Sequence, residues 1–277
     1  MQTQWVYWVP KKLISRWVGW FARCRCRRLS GYLIRWYASY FKVSLQDAES
    51  SDLSTYATLN EFFTRALKPG ARPIDPNPNA FCSPCDATLG QLGRLSGATL
   101  VQAKGHYYTL DDLIGQLGEG SAPFINGAFA TLYLSPKDYH RVHVPMDCTM
   151  THMQHIPGAL FPVFPKAVAT IPKLYARNER VVFWLETEQG PIVMVMIGAL
   201  NVGSIHVKGY GTVNSTVGVA SEWQPSEPYQ LKKGEELAWF NMGGSCVVVC
   251  VPEQQGAWHG AYQIGQKVLV GQNLRDD

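Results

Sequence analysis

A handful of residues in this 277-residue chain have the types and spacing to do chemistry together. Ser245 follows Gly243-Gly244 and opens the apolar run Cys246–Val251. A serine hydroxyl becomes a nucleophile only with a base to take its proton and a carboxylate to orient that base. The segment LYLSPKDYHRVHVP offers Asp138, His140 and His143 within six residues. Histidine suits the work of a base because its pKa lies near neutrality. Asp86, in FCSPCDATLGQLG, is the candidate carboxylate. Each residue alone has a simpler reading. Gly-Gly between apolar runs is a common turn, a lone histidine is more often structural, and Asp86 reads as a turn or capping residue.

A metal is the other chemistry that two histidines suggest. His140 and His143 lack an HExxH helix, and Pro136 and Pro145 argue against a helix there. In a strand, residues i and i+3 point to opposite faces, so a shared metal needs a bend. Cys82 and Cys85 have ligand spacing but no second CxxC pair to complete a zinc site. A zinc-dependent hydrolase using His140 and His143 is therefore an alternative, and no metal is expected.

These residues need elements to hold them. Short apolar runs such as 130–134, 181–185, 192–197 and 246–251, separated by turn signals, predict strands from Asp86 onward. Upstream the period changes. Leu13, Trp17, Trp20, Phe21 and Cys24 form one helical stripe, and Leu29, Leu33, Trp36, Tyr37 and Tyr40 form a second. Residues 44–68 read as a further helical region, with Leu59, Phe62, Phe63 and Leu67 on one face. The Pro- and Asn-rich PGARPIDPNPNAFCSPCD marks a linker. The expected fold is α+β: a helical region over 1–68, then a predominantly β, barrel- or sandwich-like catalytic core over 69–277.

Charge separates the same two parts. The first 42 residues hold nine Lys or Arg, no acid, and five of the nine tryptophans (Trp5, Trp8, Trp17, Trp20 and Trp36). The remainder is net acidic. A basic, Trp-rich amphipathic leader points to an anionic membrane surface, because Trp and Tyr prefer the headgroup region. No apolar run reaches 18 residues, so a spanning helix is not expected. Charges interrupt every candidate signal-peptide core. Seven cysteines at irregular spacing fit a reducing compartment rather than a disulfide framework. No Gly-rich phosphate loop is present, and nucleic acid is not an expected partner. A peripheral membrane-binding β module without catalysis remains a further alternative.

In order along the chain, NEFFTRALKPGARPID, SPCDATLGQLG, LYLSPKDYHRVHVP, IGALNVGSI and KKGEELAWFNMGGSCVVV resemble the phosphatidylserine decarboxylase family. The resemblance runs from about residue 60 to 250, and DYHRVH followed by a late Gly-Ser is its most specific part. It implies a proenzyme that cuts itself at Gly244-Ser245, leaving a β chain of residues 1–244 and an α chain of 245–277. The cofactor it implies is a covalent pyruvoyl group derived from Ser245. That carbonyl condenses with the amine of phosphatidylserine to a Schiff base, and decarboxylation gives phosphatidylethanolamine. Carried over residue by residue, Ser245 is the nucleophile, His143 the base, Asp86 its orienting carboxylate and His140 a substrate-binding residue. A dimer of αβ units on the cytoplasmic face of a bacterial inner membrane is also implied. Two positions depart from the family pattern. Cys246 stands where Thr or Ser is usual, and Ala87 stands where glycine commonly follows the aspartate.

Overall fold

The structure, a computed structural model, describes residues 10–103, 105–115, 120–200, 204–213, 221–243 and 245–275. Gly244, Trp5 and Trp8 lie outside the described residues.

Fifteen strands are described, in two main sheets and a hairpin. The large sheet contains β1 (Ala87–Arg94), β4 (Ala128–Leu134), β6 (Cys148–Ile156), β7 (Arg180–Thr187), β8 (Gly190–Gly198), β11 (Ser221–Trp223), β12 (Tyr229–Leu231), β14 (Ser245–Val251) and β15 (Lys267–Val268). Its order is β11-β6-β7-β8-β14-β4-β1-β15, with β12 also on β6. The small sheet runs β10 (Gly211–Val213), β9 (Ile205–Val207), β13 (Glu236–Phe240), β5 (Arg141–His143). The hairpin is β2 (Thr99–Ala103) with β3 (His106–Thr109).

Both faces of the large sheet are buried, which is why its strands read as continuous apolar runs rather than alternating ones. In β14 the even period sorts the side chains. Val247, Val249 and Val251 face a core shared with the small sheet, where Val142, Ile205, Ala238 and Phe240 meet them. Cys246, Val248 and Cys250 face a second core, covered by Leu110, Leu113, Phe124, Ile171 and Leu174. The strand is antiparallel to β4 on one side and β8 on the other, along nearly its whole length.

Of the barrel- or sandwich-like core expected, the barrel is corrected to open sheets. A barrel requires every strand to pair on both sides. Here the terminal strands β11 and β15 are three and two residues long, too short to close the sheet on itself.

The helices Lys11–Ala22 and Arg27–Phe41 form where the two apolar stripes fall. The second buries Ser30, Ile34 and Tyr37, spaced i, i+4, i+7, and ends at Lys42 in the left-handed region. Ala22, Ile34 and Tyr37 pack with Leu59, Phe62 and Phe63 as a separate apolar cluster. The single helical region read over 44–68 is not observed. Ala48 bridges Leu67 in antiparallel fashion, and only Leu53–Thr55 and Leu59–Phe63 are helical. The Thr58 hydroxyl starts the latter by accepting the Glu61 N–H (3.1 Å), and the Glu61 carboxylate accepts the Ala57 N–H. The Tyr37 hydroxyl donates to the Pro136 carbonyl (2.8 Å) and Arg65 donates to that of Lys137 (3.0 Å), tying this cluster to the β4–β5 connection.

Candidate active site

Ser245 is the first residue of β14, opposite Leu134 of β4 and Gly198 of β8. The strand's period puts its side chain on the face of Val247 and Val249, toward the small sheet. It is fully buried, and its Oγ has no hydrogen-bond partner among the described residues. A buried hydroxyl left unpartnered costs about 1–3 kcal/mol, so it calls for an explanation beyond stability. Gly243, just upstream, has φ +141°, which a side chain rarely tolerates.

His140 and His143 fall on opposite faces, as the i, i+3 spacing requires. Phe240 donates its N–H to the His140 carbonyl (3.0 Å), which carries the β13–β5 pairing up to His140. The His140 ring is tilted against Phe63, with centroids 3.9 Å apart. Its Nδ1 lies 2.8 Å from the Asp138 carbonyl, which can only accept, so Nδ1 carries the proton. Nε2 is left as a buried lone pair with no partner among the described residues. Burial, reinforced by the charge of Arg65, brings the His140 pKa down to about 3. His140 is therefore neutral at physiological pH.

His143 sits half-buried, opposite Glu236. Its Nδ1–H donates to the Gly234 carbonyl (2.9 Å), and its Nε2 accepts from the Tyr139 hydroxyl (3.0 Å). Burial lowers its pKa, against the Gly234 hydrogen bond and the charges of Glu236 and Asp86. Its backbone N–H donates to the Pro84 carbonyl (2.7 Å), two residues before Asp86.

Asp86 is buried just before β1. Arg72 Nε lies 2.9 and 3.0 Å from its two oxygens and Nη2 lies 2.7 Å from Oδ2, while the Val270 N–H donates to Oδ1 (3.0 Å). Arg72 also donates to Asp47 (2.8 Å). The hydrogen bond expected between Asp86 and His143 is thus replaced on both sides: Asp86 is held by Arg72 and Val270, His143 by Tyr139 and Gly234. Two cavities of about 280 and 450 Å³ open here, the first lined by His143 and the second by Asp86. Leu67, Arg72 and Tyr139 line both. Asp138, also in the histidine segment, is engaged structurally, since its carboxylate accepts from Ser135 and pairs with Lys267.

The alternation along β14 separates Cys246 from Ser245. Cys246 faces the opposite core from Ser245, and burial pushes its thiol up to about 12. A protonated thiol is a poor nucleophile for the Ser245 carbonyl, the attack that would cut the chain one residue later. Ala87 is fully buried in the core between the sheets, so its methyl group is accommodated.

Residues 59–276 match the family model described as phosphatidylserine decarboxylase, and residues 3–42 match a second model described as PSD. The chain is 42% identical, over 97% of its length and 95% of the relative's, to the phosphatidylserine decarboxylase proenzyme of Ectopseudomonas mendocina. It is 41% identical, over 97% and 94%, to the protein of that name from Pseudomonas putida strain F1. The chain belongs to the phosphatidylserine decarboxylase family. Membership in a decarboxylase family displaces both the zinc-hydrolase and the non-catalytic readings. Among the described residues no three His, Cys, Asp or Glu stand together as a metal site.

Sequence reasoning about this family member missed Arg72, Tyr139 and Asn60. Arg72 lies in ARPID and Tyr139 in DYHRVH, so the motifs contained them, but nothing in the spacing names their partners. Asn60 opens NEFF, and its amide reaches the backbone just ahead of Ser245.

Proposed function

We propose that the chain is a proenzyme that cuts itself between Gly244 and Ser245, converts Ser245 to a pyruvoyl group, and then decarboxylates phosphatidylserine at a bilayer surface. The observation that carries this reading is the Ser245 hydroxyl, wholly buried and unpartnered directly after a glycine pair. A hydroxyl with no hydrogen bond to give up is poised to attack its own preceding carbonyl. The glycines remove the Cβ atoms that would obstruct that approach.

As Ser245 Oγ attacks the Gly244 carbonyl carbon, a histidine takes its proton and returns it to the amide nitrogen as that leaves. The result is an ester through the serine oxygen. Removal of the residue-245 Cα proton expels the Gly244 carboxylate, which ends the first chain. The dehydroalanine left behind takes up water and releases ammonia, giving the keto-acyl terminus. Once formed, this carbonyl supplies an electron sink for the electrons released when the substrate loses CO2.

His143 is assigned as the base. Its depressed pKa keeps a neutral lone pair on Nε2, and Tyr139 gives up its hydrogen bond when that lone pair is used. Asp86 supports the imidazolium through its charge, oriented by Arg72 rather than by a direct bond. His140, neutral and buried against Phe63, is the substrate-binding residue. One observation favours a second reading, with His140 as the base: its Nε2 lone pair is buried and, like the Ser245 hydroxyl, has no partner among the described residues. Comparing His143→Ala with His140→Ala separates the two, because only loss of the true base accumulates uncut chain.

The bilayer reading rests on the N-terminal helices. Their apolar stripes are not packed away: Trp17, Trp20, Trp36 and Tyr40 are 57%, 63%, 49% and 68% exposed, beside basic residues. Such a surface suits an anionic headgroup layer. Among the described residues no helix is long and apolar enough to cross a membrane. The cut chains stay together as αβ units that pair into a dimer, on the cytoplasmic face of a bacterial inner membrane.

Ser245→Ala tests the reading. It should leave a single uncut chain without decarboxylase activity, since alanine has no oxygen for the acyl shift. Cleavage or activity in that variant would sink the assignment.

A further inference from the structure

We infer that Asn60 is a positioning residue for self-cleavage, holding the backbone at Asn241–Met242 so that the glycine pair is presented to Ser245. The inference rests on the reading of Gly244-Ser245 as the cleaved bond.

Gly243 and Gly244 are the two residues with the most backbone freedom to lose. Intramolecular attack requires the carbonyl to be held within a few tenths of an ångström of its productive position. The chain must therefore be fixed on both sides of the glycines. Downstream, β14 does this, with Ser245 paired to both Leu134 and Gly198. Upstream the register with β5 runs to Phe240, whose N–H donates to the His140 carbonyl. Beyond Phe240 the described anchoring is one backbone bond at Asn241 together with side-chain contacts.

Asn60 makes two of those contacts. Its Oδ1 accepts the backbone N–H of Met242 (3.0 Å), and its Nδ2 donates to Asn241 Oδ1 (3.1 Å). The Asn241 amide in turn donates to Ser204 Oγ (2.9 Å), which also accepts from Arg23 Nη2 (3.1 Å). The Asn241 N–H donates to the Ser204 carbonyl (3.2 Å). Asn60 itself cannot drift. It sits in the first turn of the helix Leu59–Phe63, whose Leu59, Phe62 and Phe63 are buried and whose start is capped by Thr58. Phe63 of the same helix packs on the His140 ring. One short helix thus sets both the approach to the scissile segment and a candidate site histidine.

The two hydrogen bonds of Asn60 can be removed in steps. Aspartate is nearly isosteric and keeps the acceptor for Met242, but loses the donor to Asn241. Alanine loses both. Self-cleavage of freshly made precursor, followed by denaturing gel, should be fastest in the wild-type chain, slower in Asn60→Asp and slowest in Asn60→Ala. The alanine variant should be slower than wild type by roughly tenfold or more. Thermal melting of each precursor, in a Ser245→Ala background that removes cleavage, checks that the fold survives. A mere stability role would move the melts in step with the rates and show no rescue by aspartate. A wild-type cleavage rate in a folded Asn60→Ala chain overturns the inference. If Asn60→Ala fails to fold, Asn60→Asp decides: intermediate cleavage supports it and a wild-type rate overturns it. Absence of cleavage in the wild-type chain would instead overturn the reading of the bond.

Discussion

Arg72 holds Asp86 with Nε and Nη2 together, the shortest contact being 2.7 Å to Oδ2. Both side chains are largely buried, at 14% and 8% exposed. A paired buried carboxylate that loses its cation is left uncompensated, which costs roughly 3–5 kcal/mol. Arg72→Ala should therefore lower precursor stability by about 3 kcal/mol and slow self-cleavage, with Arg72→Lys milder on both. Denaturant melts in a Ser245→Ala background, alongside a cleavage time course, measure the two effects. Unchanged cleavage in Arg72→Ala would show that the orientation of Asp86 does not matter.

The acid limb of self-cleavage identifies the base. A histidine base works only when neutral, so cleavage is full above its pKa and fails as pH falls through it. Burial lowers His143 below its ordinary 6.5, so the midpoint should lie under that value. Tyr139→Phe removes a donor to the neutral Nε2 and should move the midpoint upward. If His140 is the base, the midpoint falls near 3 instead and Tyr139→Phe leaves it alone.

With the proposed cut, β14 would belong to the small fragment yet remain a central strand of the large sheet, paired to β4 and β8. Val247, Val248 and Val249 are fully buried. The fragments should therefore co-elute at neutral pH without denaturant and separate only when unfolded. Release of the small fragment under native conditions would contradict this.

At the bilayer, vesicles containing anionic phosphatidylglycerol should bind the full chain with an affinity that falls as salt rises. Each surface-proximal Lys or Arg adds on the order of 1 kcal/mol. Replacing Trp17, Trp20 and Trp36 together by alanine should weaken sedimentation with vesicles by at least roughly tenfold, since bulky aromatic area no longer enters the interface. Equal sedimentation would remove the aromatic face from the mechanism of docking.

How much of this was legible in the sequence depends on the range of the interaction. The long strands β7, β8 and β14 could be read because burial on both faces forces continuous apolar runs. The three-residue strands β5 and β9 could not, since three residues carry no period. A barrel- or sandwich-like core is what regularly spaced strands suggest, but the lengths of the edge strands, which leave the sheets open, are a tertiary outcome. Residue types at the site were legible as motifs, including Asp86, His140, His143 and Ser245. Their partners were not. Asn60 meets Met242 across 182 positions, and the pairing of β5 with β13, whose register shifts between Glu236 and Ala238, accompanies the Tyr139–His143 hydrogen bond. The exposure of the Trp17 and Trp20 stripe was legible only through the basic, Trp-rich composition around it, because an apolar stripe by itself looks the same whether it faces a core or a bilayer.

The most direct test is the intact mass of the purified protein under denaturing conditions. Two chains should appear, the larger ending at Gly244 and the smaller spanning residues 245–277 with a three-carbon keto-acyl group at its head that blocks stepwise N-terminal sequencing. A single chain of 277 residues, or a small fragment with a free amino terminus at Cys246, would contradict conversion of Ser245.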